Sequence, residues 1–134
     1  MSVVSGVWET GRFYLFTYGT LMAGGSAGNL LEGCERIGPG SVTGTLYDID
    51  GAYPALVLAG KGVVWGEVWR CPVERLKVLD EYEEVQERLF RRVAIQVGEY
   101  ACWTYVAGPA LGRRLTPNRR IPSGRWTPAP EPQP

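Results

Sequence analysis

Arg12-Phe13-Tyr14-Leu15-Phe16-Thr17 is the segment that most restricts the fold of this chain. Aromatic and aliphatic side chains fall on both faces of the strand it would form. Such a strand must be covered on both sides, so it belongs in the middle of a sheet. It runs into Tyr18-Gly19-Thr20-Leu21. A turn after a central strand leaves successive backbone N–H groups free to face an anion or a polarised carbonyl. Gly19 would let backbone approach a ligand closely, and Tyr18 and Thr20 add hydroxyls. The same residues also read as an ordinary strand exit with a buried tyrosine.

Other segments have the same short, glycine-punctuated character. A glycine-rich stretch, residues 23–28, leads to one helical turn through Asn29-Leu30-Leu31. Glu35 to Ile37 reads as a short strand broken by Pro39-Gly40, and Val42 to Ile49 as the next, closed by the Asp50-Gly51 turn signal. Pro54 to Leu58 and Val63 to Trp69 are two more strands joined by Gly60-Lys61-Gly62. Pro72 suits a first helical position, and Val73 to Glu81 has good helix formers with Val73, Leu76 and Leu79 on one face. Leu89 to Val97 and Ala101 to Val106 form a hairpin around Gly98-Glu99. Gly44 and Gly66 interrupt strands where barrels bend. The sum is an α+β fold, a small mixed β-barrel of about six strands with one or two short helices. One domain occupies residues 1–126, and the Pro-rich tail 127–134 is expected to be disordered or polyproline-like.

Composition excludes several chemistries. The 134 residues suffice for a single core. Lys+Arg 14 balances Asp+Glu 14, which does not advertise a nucleic-acid or anionic-membrane partner. The arginines at 113, 114, 119, 120 and 125 read as a solvated segment, not a nucleic-acid surface. Histidine is absent, which removes Ser-His and Cys-His catalysis and histidine-ligated zinc. Cys34, Cys71 and Cys102 are odd in number and widely spaced, indicating neither a disulfide framework nor a zinc ribbon. Reduced, buried or half-buried thiols in a cytoplasmic protein fit best. Residues 1–12 lack a signal-peptide pattern, and there is no apolar run long enough for a transmembrane helix.

Acid–base work must then fall to other side chains, and Glu83 is one candidate. On an ideal helix it lies four residues beyond Leu79 and continues the apolar stripe. Asp80 leans toward the same face, while Glu74 and Glu81 lie opposite. Partial burial of a carboxylate favours its neutral form and tunes it toward general acid–base use. The alternative is a Glu83 that caps the helix end and meets Arg88 or Arg92. The glycines at 24, 25 and 28 match neither the dinucleotide nor the P-loop spacing.

Tyr18-Gly19-Thr20-Leu21, Gly44-Thr45-Leu46-Tyr47-Asp48-Ile49 with Tyr53-Pro54-Ala55-Leu56, Val64-Trp65-Gly66-Glu67-Val68 and Leu79-Asp80-Glu81-Tyr82-Glu83 occur in this order. Arg92, Ile95, Val97, Ala101, Tyr105 and Ser123-Gly124-Arg125-Trp126 follow. In this combined order, over roughly residues 13–126, the chain resembles the gamma-glutamylcyclotransferase-like family. The resemblance implies a mixed barrel with a pocket between the Tyr18–Leu21 loop and Glu83. It also implies cyclisation of a small-molecule gamma-glutamyl substrate to 5-oxoproline, releasing an amine. The catalytic residue would be Glu83, with Tyr18, Gly19, Thr20 and Leu21 binding substrate. No metal or cofactor is required, since the substrate's own amine is the nucleophile. The chain departs from the family pattern at three places: Glu84 replaces a usual glycine, Phe90 a common tyrosine, and Arg125 a frequent acidic residue. Rival expectations are a non-catalytic module binding a gamma-glutamyl-like molecule, and a gamma-glutamyl acyltransfer or deprotection role on a larger substrate.

Overall fold

The computed structural model describes residues 11–19, 28–83 and 88–126. Thr20, Leu21, residues 23–27, Glu84 and the tail 127–134 lie outside them. In chain order the elements are β1 (Arg12–Thr17), a 3₁₀ turn (Gly28–Leu31), β2 (Glu35–Thr43), β3 (Thr45–Ile49), β4 (Tyr53–Val57) and β5 (Val63–Pro72). Next come α1 (Arg75–Tyr82), β6 (Phe90–Val97), β7 (Tyr100–Ala107) and two 3₁₀ turns, Pro109–Arg114 and Pro117–Arg119.

β1 holds the centre of a mixed five-stranded sheet ordered β2-β5-β1-β7-β6. It runs antiparallel to β5 and parallel to β7. The double covering read from its sequence is realised. Phe13 and Leu15 enter one core, with Ile49, Cys71, Leu79, Tyr105 and Leu111. Phe16 enters a second, with Leu46, Leu56, Val64, Val68 and Val97. The strand needs no polar face because each side has its own apolar cover.

The fold class is as read, with differences of detail. There are seven strands among the described residues, and β3 and β4 form a separate hairpin. The main sheet does not close by hydrogen bonding: its edges are β2 and β6. It curls until those edges pack, with a Cβ on Gly40 of β2 falling 2.7 Å from Val97 Cγ1 of β6. Pro39-Gly40 does not break β2, because β2 is an edge strand and an edge tolerates a residue without an N–H. The break comes at Gly44, where a Cβ would stand 2.7 Å from the Val57 carbonyl oxygen. Pro72 ends β5 opposite Arg12 instead of starting the helix. Accordingly Val73 is 52% exposed, while Leu79 is fully buried.

The C-terminal segment straps the hairpin to the main sheet. Ile121 N donates to Leu46 O at 2.8 Å, and Trp65 N donates to Gly124 O at 2.8 Å. Trp126 folds back beside Gly19. Arg125 stacks on Trp65, its guanidinium carbon 4.6 Å from the ring centroid.

The close approach of β5 to the end of β1 depends on Gly66. A Cβ there would lie 2.0 Å from the Thr17 carbonyl oxygen and 2.8 Å from Phe16 Cζ. Backbone must move to admit it, and forced repacking of this kind costs roughly 1–3 kcal/mol or more. Gly66→Ala is expected to lower the unfolding free energy by that amount, seen as a reduced urea midpoint at unchanged slope. Gly112→Ala, where nothing lies within 4 Å of the added methyl, should scarcely move it.

Candidate functional site

β1, β7, β6 and the end of α1 converge on one corner. Tyr18 follows β1 and is 7% exposed. Its hydroxyl donates to the Tyr105 carbonyl oxygen at 2.5 Å and accepts from Leu56 N at 3.2 Å. The phenol therefore bridges β7 of the main sheet and β4 of the hairpin, which lie together without sharing a ladder. Gly19 is tight for a related reason. A Cβ there would be 2.5 Å from Pro54 Cγ, with Trp126 Cδ1 at 3.9 Å. The glycine thus admits the chain's own β4.

The last turn of α1 supplies two acids. Asp80 Oδ1 accepts from the Tyr105 hydroxyl at 2.6 Å and from Arg92 Nε at 2.9 Å. Arg92 also lies over Trp103, its guanidinium carbon 4.4 Å from the ring centroid. Asp80 is thus held in a buried-edge network. Glu83 is the C-cap, half-buried, with its N–H donating to Leu79 O at 2.9 Å. Its charge reaches both tyrosines. Burial pushes the Tyr18 phenol far above its ordinary range, Glu83 pushes it further, and the Leu56 N–H opposes both. Burial also raises Tyr105, helped by its hydrogen bond to Asp80 and the charges of Asp80 and Glu83, against Arg92.

Glu83 and Tyr18, read from distant parts of the sequence, thus share one electrostatic neighbourhood. Thr20 and Leu21 lie outside the described residues. The Tyr18 side chain is engaged in the fold, as in the buried-tyrosine reading. Arg92, one of the arginines considered for Glu83, is bonded to Asp80. Phe90 is 7% exposed and packs 5.8 Å, centroid to centroid, from the Tyr53 ring. Sequence reasoning missed Glu67, a carboxylate only 7% exposed that pairs with Arg36 Nε at 2.8 Å. Its placement between Trp65 and Trp69 on one strand face was the available signal. A separate cleft of about 430 Å³ is lined by Asp48, Asp50, Arg119, Arg120 and neighbours. There Asp50 pairs with Arg114 and Arg119, which accounts locally for two of the clustered arginines.

Residues 15–128 match the family model for gamma-glutamyl cyclotransferase, AIG2-like. The chain belongs to the AIG2-like gamma-glutamyl cyclotransferase family. Among solved structures it is similar to protein ytfP from Escherichia coli (29% identity, TM-score 0.65, covering 85% of this chain and 96% of that one). It is also similar to the uncharacterized protein PH0828 from Pyrococcus horikoshii (25% identity, TM-score 0.69, 84% and 87% covered). An AIG2-like protein from Mus musculus shares the fold at 20% identity (TM-score 0.72, 88% and 90% covered). No curated protein sequence gives a significant match. No helix among the described residues is long and apolar enough to cross a membrane.

Two predictions follow from the buried phenols. Tyr18→Phe removes the bridge and leaves the Leu56 N–H and Tyr105 carbonyl without it. At roughly 1–3 kcal/mol for each orphaned buried group, the variant should lose stability in urea titration even if its spectrum is native. The second concerns pH. In the folded protein Tyr18 and Tyr105 hold their protons above the ordinary phenol range. The unfolded chain releases those protons above about pH 10. The native state then binds more protons than the unfolded one, so unfolding free energy should fall as pH rises beyond that point. Full stability is retained below it. Urea midpoints from pH 8 to 11 check this, and Tyr18→Phe should flatten the alkaline decline.

Proposed function

We propose that the chain is a gamma-glutamylcyclotransferase-type enzyme with Glu83 as general acid–base. Family membership supports the reaction class. The observation that carries the residue assignment is the half-buried Glu83 at the end of α1, whose charge bears on Tyr18 and Tyr105. The substrate is a gamma-glutamyl amine, amino acid or peptide. Its alpha-nitrogen attacks the gamma-carbonyl carbon. The new C–N bond closes a five-membered lactam, and the old amide C–N bond breaks. Two protons leave the alpha-ammonium and two arrive on the departing nitrogen. Glu83 relays them in turn, first as base and then as acid.

Backbone N–H groups of Gly19, Thr20 and Leu21 hold the substrate carboxylate or the developing oxyanion, where preorganised donors lower the barrier. Tyr18 contributes by fixing where that loop begins. A curled glutamyl chain supplies the proximity of an intramolecular reaction. No metal or cofactor enters, and the reaction runs in the cytoplasm on a small-molecule substrate.

The test is 5-oxoproline release from a panel of gamma-glutamyl amines, amino acids and peptides. Wild type should release product, and folded Glu83→Gln should be slower by roughly 10²–10⁴-fold, the usual worth of a general acid–base. Equal release by both would remove Glu83 from the mechanism. No release by wild type across the panel, with retained binding, would favour the non-catalytic binding module.

A further inference from the structure

Cys34 and Cys71 are 37 positions apart in sequence, yet the sheet makes them neighbours. The β2–β5 register pairs Glu35 with Arg70 and Arg36 with Trp69. Extending it by one place sets Cys34 opposite Cys71. Directly opposed residues of antiparallel strands have Cα atoms about 4.5–5.5 Å apart, within the range of about 4.4–6.8 Å that a disulfide spans. Cys34 packs against the core cluster that contains Cys71. Cys71 is fully buried against Phe13, its partner on β1, while Cys34 is half-buried and reachable from solvent.

Their surroundings divide the labour between them. Arg12 sits opposite Pro72, and Arg75 opens α1 and reaches Leu30 O at 3.4 Å. Both guanidinium groups favour a Cys34 thiolate. The Cys71 hydrogen bond favours it most, and burial opposes it; on balance the thiol is held below its usual range. The Cys71 thiol is held up by that same hydrogen bond and by burial. Glu32 and Glu35 flank Cys34 but are exposed, and Glu35 is offset by Arg70 at 3.9 Å. Such a thiol beside a second thiol is the arrangement of an oxidisable pair.

We propose that Cys34 and Cys71 are a modification site, a dithiol that a hydroperoxide converts to an intramolecular disulfide. The Cys34 thiolate attacks one peroxide oxygen: an S–O bond forms, the O–O bond breaks, and the departing oxygen takes a proton. The resulting sulfenic acid is attacked by Cys71. The S–S bond forms, the S–O bond breaks, and the hydroxyl leaves as water with the Cys71 proton. Two electrons pass from the thiols to the peroxide. The disulfide would join the start of β2 to the end of β5, at the root of α1.

The experiment treats native wild-type protein with hydrogen peroxide, alkylates it in denaturant, and digests it without reduction for mass spectrometry. The expected result is a Cys34–Cys71 linked peptide pair that reductant separates, with two of the three thiols lost to alkylation. Cys102, buried and pushed up to about 12, should remain alkylatable. In Cys71→Ser, Cys34 should stop at a sulfenic acid captured by dimedone. In Cys34→Ser, Cys71 should stay a thiol. Wild type that keeps both thiols, links either to Cys102, or carries oxidised Cys34 without the link overturns the proposal. That decision rests on wild type, whatever the stability of the variants.

Discussion

The hydroxyl of Tyr18 joins two sheets that share no ladder. β4 and β7 approach one another with a backbone N–H at Leu56 and a carbonyl at Tyr105 facing the gap, and a single phenol satisfies both. Buried peptide groups left unpaired cost on the order of 1–3 kcal/mol each, so the hairpin would dock less firmly without it. The same bond fixes where β1 must end. The ring has to enter the core between the sheets, and the backbone then has to clear Pro54, which it does at Gly19, where a Cβ would overlap the proline ring. The start of the candidate substrate loop is therefore a consequence of how the hairpin is attached.

Two acids, Asp80 and Glu83, supply the charge at the same corner. Asp80 accepts from Arg92 and Tyr105 and serves the packing of α1 onto β6 and β7. Glu83 lies one turn on, as the C-cap of the helix. Both nearby phenols are held protonated by burial and by these carboxylates. They can donate hydrogen bonds near neutrality but cannot act as bases there. With no histidine in the chain, the proposed mechanism assigns proton abstraction in this corner to a carboxylate.

How much of this was legible in the sequence depends on the range of the interaction. β1 was readable to the residue, because apolar side chains on both faces are a local signal. The β6–β7 hairpin was readable from its turn at Gly98-Glu99. The continuity of β2 through Pro39 was not, since a proline is a breaker in a central strand and harmless at an edge, and edge position is a property of the whole sheet. The start of α1 was misplaced because Pro72 suits both a first helical turn and a strand end. The helical stripe made Glu83 a candidate, and the family resemblance put it first. Its neighbour Asp80 could be placed on the right face, but not given its partners, which come from β6 and β7. The Cys34–Cys71 pairing was invisible for the same reason: wide sequence spacing says nothing about register across β2 and β5.

The length of α1 connects these parts. β5 is antiparallel to β1, so Pro72 lies beside Arg12, at the end of β1 remote from Tyr18. A helix leaving from there must travel back along the sheet to bring its last cap near the Tyr18 end. From Arg12 to Tyr18 the strand covers about 20 Å at roughly 3.3 Å per residue. From Arg75 to Glu83 the helix covers about 12 Å at 1.5 Å per residue. Val73 and Glu74 add little reach, since Glu74 is helical and Leu76 N closes a turn onto Val73 O at 3.1 Å. The helix is thus shorter than the strand it runs back along, and it has no turn to spare. Losing one would withdraw Glu83 by about 5.4 Å and separate its charge from both phenols. The root of that helix adjoins Cys71 and its tip carries Glu83. Any change in how the end of β5 is held therefore acts on the one element whose reach sets the candidate site.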